Sequence, residues 1–221
     1  MLEYKLLNTN KKNNAGAKPF DVVLMFKILI LQRYYGLGDT HVEYQILDRL
    51  SFKRFLGLAS GDKVPDEKTV WAYRAKLINA GLVERLFSQF TETLEKQGLI
   101  VNAGKIIDAS FTVAPRQRNS RAENKSIKEG KGDALWNDQP NKKRHKDVDA
   151  RWTKKNGEKF YGYKNHTKVD ENSKFIDNYT VTDASVHDSQ VLDELLSGKD
   201  KGQDLHADSA YTGKEQEKVI V

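Results

Sequence analysis

Cysteine is absent from the 221-residue chain, which excludes a disulfide framework, thiolate metal sites and zinc fingers. Long apolar runs are missing too. The most apolar stretch, residues 22–31, is interrupted by Lys27, whereas a bilayer-spanning helix needs about 20 apolar residues. No membrane span is expected. Residues 1–18 lack the apolar core and small-residue cleavage site of a secretory signal, so the expected location is the cell interior. Charge, by contrast, is abundant: 37 Lys and Arg against 31 Asp and Glu give a formal net charge of +6 and a pI near 9.2. Acids and bases are interspersed, so only a local excess of bases can form a patch, and such a patch favours a polyanionic partner.

The first hundred residues carry helical periodicity. Pro19 opens an apolar run over 20–35 that Gly36 and Gly38 end. Asp39 and Thr40 can cap a second helix with Val42, Ile46, Leu47 and Leu50 on one face, followed by Phe52, Phe55, Leu56 and Leu58. Residues 65–69 supply a turn and an N-cap for a helix over 70–80 with a Val70, Tyr73, Leu77 stripe. A further helix over 82–97 is expected to bury Leu82, Leu86, Phe90 and Leu94 and to stop at Gly98. With Lys68, Arg74 and Lys76 outward, the 70–80 helix suits a recognition helix reading base edges; a bundle that packs on a core or dimerises fits equally.

The pattern changes at Leu99. Residues 99–101, 105–113, 159–169, 175–186 and 205–211 read as strands, the third and fourth forming a hairpin. Asp188 can cap a helix over 190–196. Residues 115–159 hold no sustained apolar pattern but many bases, including Arg116, Arg118, Arg121, Lys142, Lys143, Arg144, Lys146, Arg151, Lys154 and Lys155. A loop of this length is functional or disordered more often than idle. Its Trp136 and Trp152 can stack on a base or anchor the loop. His166 and His206 flank strands and are expected to be structural. Asp108 and Asp208 each close a short apolar run. A carboxylate at the end of a buried strand is costly to desolvate unless paired or metal-bound, so two of them suggest one divalent-ion site.

The runs Lys105-Ile106-Ile107-Asp108-Ala109-Ser110, Phe160-Tyr161-Gly162-Tyr163-Lys164-Asn165-His166, Val181-Thr182-Asp183-Ala184-Ser185-Val186-His187-Asp188-Ser189 and His206-Ala207-Asp208-Ser209-Ala210-Tyr211-Thr212-Gly213 resemble DDE transposases of bacterial insertion sequences, in the group named for insertion sequence five. The preceding Pro65-Asp66-Glu67-Lys68-Thr69-Val70-Trp71 is similar to that family's N-terminal domain. The resemblance implies an α+β chain: a helical N-terminal domain (1–98), then an incomplete RNase H-like mixed α/β domain (99–221) with a basic insertion at 115–159. It implies Mg²⁺ or Mn²⁺ held by Asp108 and Asp208 as catalytic acids, and metal-dependent cleavage and strand transfer of DNA at terminal inverted repeats and target DNA. The basic residues named above are the expected DNA contacts. A homodimer and a cytoplasmic, nucleoid-associated location are expected. The family's third acid, a Glu, has no match, since Glu215 and Glu217 follow Asp208 too closely; the expectation is therefore a C-terminally truncated chain. The alternatives are an inactive DNA-binding remnant and a host RNase H-like nuclease.

Overall fold

The computed structural model describes residues 18–155 and 157–211. Expectations that fall on residues 1–17, Asn156 and 212–221 lie outside them, including those for Glu215 and Glu217. The chain divides into two compact units, Met1–Phe90 and Thr91–Val221.

The first unit is helical: α1 (Val22–Tyr35), α2 (Asp39–Asp48), α3 (Leu50–Leu56), α4 (Glu67–Asn79) and the start of α5 (Leu82–Lys96). Helix α1 begins later than Pro19 suggests, because the Asp21 carboxylate accepts the Leu24 N–H at 2.8 Å and so takes the N-cap. Gly36 closes the helix in the left-handed conformation. Helix α4 starts the same way, with Asp66 accepting the Thr69 N–H at 2.7 Å. Met25, Ile28, Val42, Ile46, Phe52, Val70, Tyr73 and Leu77 interlock in the core. Leu47 and Leu50, expected inward, are half or more exposed. Arg49 adopts an extended conformation between α2 and α3, so the helical face that carries Val42 and Ile46 does not continue to Leu50. Phe55 and Phe90 are exposed as well.

The second unit holds β1 (Gly104–Val113), α6 (Arg121–Lys128), α7 (Pro140–Lys143), β2 (Arg151–Lys155), β3 (Glu158–Asp170), β4 (Ile176–Asp183), α8 (Leu192–Leu195) and β5 (Asp204–Ala207). The strands form one mixed sheet in the order β2-β3-β1-β5, with β4 also on β3. Strand β3 runs antiparallel to β1, β2 and β4, whereas β5 runs parallel to β1. The chain is thus α+β, a helical unit followed by a mixed sheet. Three local expectations need correction. Residues 99–101 are not a strand: the Asp170 carboxylate takes the Asn102 N–H at 2.8 Å, and Asn102 sits at a φ of 57°, which turns the chain away from a ladder. The last strand ends at Ala207, because the Asp208 carboxylate accepts the Ala210 N–H at 2.9 Å and starts a 3₁₀ turn over Ser209–Tyr211. The cap before residue 188 is His187, not Asp188, and opens a 3₁₀ turn (Asp188–Val191) ahead of the single-turn α8.

Strand alternation sorts side chains onto two faces. One face carries Lys105, Ile107 and Phe111 from β1 opposite Asp170, Lys168 and Lys164 from β3. Apart from Ile107 and Phe111, this set is polar, yet Lys105, Lys164, Lys168 and Asp170 are all buried. Lys105 Nζ bonds Asp177 and lies 3.9 Å from Asp170 and 4.0 Å from Asp200; Lys168 Nζ lies 2.7 Å from Asp200 and 3.5 Å from Asp177. Burial would raise the Asp170 carboxyl, but hydrogen bonds from Ser173, Asn102 and Val101 hold it at about 2. Because its folded value lies below the ordinary 3.8, its stabilisation is present above that value and is lost as pH falls through about 2. Removing one partner of a buried cluster strands the rest, so Lys105→Met should destabilise the fold by about 3–5 kcal/mol in urea titrations. Asp170→Asn should flatten the loss of stability between pH about 4 and 2 that the parent shows in the same measurement.

Candidate functional site

The parallel pairing of β5 with β1 is the local feature that builds the site. Their register runs from Gly104 opposite Asp204 to Ile107 opposite Ala207. Asp108, the next residue of β1, and Asp208, the first residue past the end of β5, follow directly on this register, where the strands run about 4.8 Å apart. Asp108 stands on the face opposite Ile107, Asp208 opens the turn after β5, and both are exposed. Both thus face solvent, contrary to the buried strand ends expected from the apolar runs before them. Each side chain is turned by its own backbone: Asp108 accepts the Ala109 N–H at 2.7 Å, and Asp208 that of Ala210. Among the described residues neither makes an ion pair, and no group of three His, Asp or Glu converges as a metal cage. Two exposed carboxylates free of competing cations suit a hard divalent ion whose other ligands are water or phosphate oxygens.

On the covered face lies a second polar group, in which the sequence alone predicts a helix cap for Asp188, a structural role for His166 and no role for Lys164. Lys164 Nζ bonds Asp188 Oδ1 at 2.8 Å and the Val186 carbonyl at 2.7 Å. His166, fully buried, places Nδ1 4.0 Å from the same carboxylate and bonds Thr182 Oγ1 through Nε2 at 2.9 Å. The Thr182 hydroxyl donates to the Asp183 carbonyl at 3.1 Å, so Nε2 carries the imidazole proton. Burial holds the His166 ring below its ordinary pKa, with Asp188 opposing and Lys164 assisting, which makes it a neutral, structural histidine. His206 is exposed and lies 3.4 Å from Glu171. The available signal was an alternation: Lys164, His166, Lys168 and Asp170 occupy every second position of one strand, the spacing of a single sheet face.

Residues 115–159 are ordered where described, not a structureless loop. Ser120 and Glu123 form a reciprocal capping box on α6. Glu123 also accepts the Trp136 indole N–H at 2.7 Å and pairs with Lys142 at 2.8 Å. Its hydrogen bond from Lys142, with those from Ser120 and Trp136, lowers its carboxyl to about 2. Trp136 is buried, with Lys142 and Lys146 over its ring, and anchors the segment. Lys143 bonds the Asp133 carbonyl and Asn137, Lys146 bonds the Arg118 carbonyl and Asn119, and Arg151 bonds three backbone carbonyls. The ammonium and guanidinium groups of these residues and of Lys142 thus hold the segment together. Arg116, Arg118, Arg121, Arg144, Lys154 and Lys155 are exposed. Trp152 is half-exposed, with Arg116 over its ring at 5.5 Å. In register it sits opposite Tyr161, on the sheet face that also carries Asp108. Gly162 permits the junction of β1, β2 and β3: its φ is 148°, and a Cβ there would strike the Thr112 carbonyl and the Ala114 N–H. In the helical unit, Arg74 is not free for bases, since it pairs with Asp39 and bonds Gln32 at 2.9 Å. Tyr73 packs inward, with its hydroxyl donated to the Val22 carbonyl at 2.8 Å and its pKa pushed up to about 12 by burial. Trp71 is exposed.

Two family models match the chain. Residues 2–76 match one described as Transposase domain (DUF772), and residues 103–220, more than half of the chain, match one described as Transposase DDE domain. No solved structure matches. The mixed sheet with β5 parallel to β1 is accordingly an RNase H-like core.

If Trp136 is the anchor of the basic segment, Trp136→Ala should expose Lys142 and Lys143 to trypsin, read by limited proteolysis and mass spectrometry. The sheet should survive the change, with the far-ultraviolet circular dichroism of the parent.

Proposed function

Because the chain belongs to the DDE transposase family, we propose that it cleaves and rejoins DNA at the ends of an insertion sequence, with Asp108 and Asp208 as the acids of the site. The observation that supports this reading is the pairing of β1 with β5, whose register leads directly to two exposed carboxylates that make no ion pair among the described residues. Mg²⁺ or Mn²⁺ held there would act as a Lewis acid, activating water or a 3′-hydroxyl and stabilising the leaving oxygen of an in-line displacement. The chain's own contribution is to fix the two carboxylates on adjacent strands and to leave their face open to a phosphodiester.

DNA is held, in this reading, by exposed bases of residues 115–159. Arg116, Lys154 and Lys155 are favoured over Lys142, Lys143, Lys146 and Arg151, whose charged groups already serve the fold. Phosphate contacts of this kind position the duplex without reading its sequence. The terminal inverted repeats as preferred substrate, a homodimeric working form and a nucleoid-associated location belong to the same proposal.

Two outcomes are expected. Asp108→Asn and Asp208→Asn should each lower metal-dependent cleavage of end-bearing DNA by more than the roughly 10–100-fold that loss of an outer partner of a metal site produces. Cleavage that persists in both variants would remove these acids from the site. Replacing Arg116, Lys154 and Lys155 with Ala should lower the slope of log affinity against log salt by about 2.7, at about 0.9 per phosphate contact. Replacing Lys142, Lys143 and Lys146 should lower it less.

A further inference from the structure

Tyr211 is the third residue after Asp208 and closes the short turn that follows β5. Its ring is buried in the apolar cluster of Ile107, Val191, Leu192 and Leu195. Its hydroxyl is equally buried and, among the described residues, bonds nothing. A phenol kept in a core without a partner is destabilising relative to one that is satisfied, and phenylalanine would fill the same space without that cost. The polar groups around it are unusual for an apolar cluster. Burial first, and then the charges of Asp188, Asp208 and Asp108, push its pKa well above the ordinary range. Asp188 is itself fixed by Lys164 and stands 4.0 Å from the bare Nδ1 of His166, which also lacks a partner. Two buried polar atoms, the Tyr211 hydroxyl and His166 Nδ1, thus lack a partner among the described residues.

We propose that Tyr211 is a positioning residue for Asp208: its hydroxyl, buried and without a partner among the described residues at the end of the turn that Asp208 opens, is donated to that carboxylate when a divalent ion is held there. The inference rests on the assignment of Asp108 and Asp208 as metal ligands and adds to it a residue that touches neither DNA nor metal. A phenol cannot replace a carboxylate as a ligand for a hard cation at neutral pH, but it can hold one carboxylate oxygen in place so that the other faces the ion. Asp188 is already engaged by Lys164, which leaves the hydroxyl to Asp208.

The test is a Mn²⁺ titration of the parent, Tyr211→Phe and Asp208→Asn, counting free Mn²⁺ by its electron paramagnetic resonance signal, with thermal melts of each metal-free protein. Tyr211→Phe should weaken Mn²⁺ binding about tenfold, the lower end of what outer partners of metal sites contribute. Its metal-free melting temperature should equal or exceed the parent's, because an unsatisfied hydroxyl has been removed. Binding within twofold of the parent would overturn the proposal while leaving the metal site intact, provided Asp208→Asn binds poorly. A fall in the melting temperature alongside weaker binding would make Tyr211 a packing residue and overturn it too. Equal binding by the parent and Asp208→Asn would remove the metal reading itself, and the positioning role with it.

Discussion

Burial of two lysines and three aspartates beneath one face of the sheet is the constraint on which the rest of this unit depends. Lys105 and Lys168 share Asp177 and Asp200, and Lys105 also lies beside Asp170, the five residues being drawn from β1, β3, β4 and the turn before β5. In a low-dielectric interior each charge is tolerable only while its partners are in place. A slip of one residue in any strand would turn the charged set outward and a different set inward. The cluster therefore specifies register, and register decides where Asp108 stands. Lys105 and Asp108 are three residues apart on β1 and so face opposite ways. Fixing the first beneath the sheet holds the second on the open face, beside the end of β5.

The same division of labour recurs across the basic segment. Charges that look alike in sequence separate into two groups once their partners are known. Lys142, Lys143, Lys146 and Arg151 are occupied by Glu123, by asparagine side chains and by backbone carbonyls. Arg116, Lys154 and Lys155 project from the strands and their flanks around Trp152, on exposed backbone. The first group orders the segment and the second is available to a polyanion. A folded basic segment also limits the conformational entropy lost when a duplex binds, which a disordered one would have to forfeit at that moment.

Much of this was legible in the residues. The α1 and α4 helices, the Val70, Tyr73, Leu77 stripe and the β3–β4 hairpin follow from periodicity, and the transposase motifs led to the family. Local competition for hydrogen bonds accounts for the misses. A carboxylate at 170 captured the Asn102 N–H that a strand at 99–101 would have used, and Asp208 captured the Ala210 N–H that would have extended β5. Single-residue hydropathy also hides a buried polar face. Lys164, His166, Lys168 and Asp170 look like a solvated edge until their partners, remote in sequence, are brought beneath them. The exposure of Asp108 and Asp208 could not be read from the apolar residues that precede them, because β1 alternates between a covered and an open face.

The central claim is that Asp108 and Asp208 form one divalent-ion site on the open face of the sheet. It is tested most directly by crystals grown with Mn²⁺ and data collected at the manganese absorption edge. Anomalous density bonded to carboxylate oxygens of both residues is the expected result. Manganese bound elsewhere, with both carboxylates bare at full metal occupancy, would contradict it.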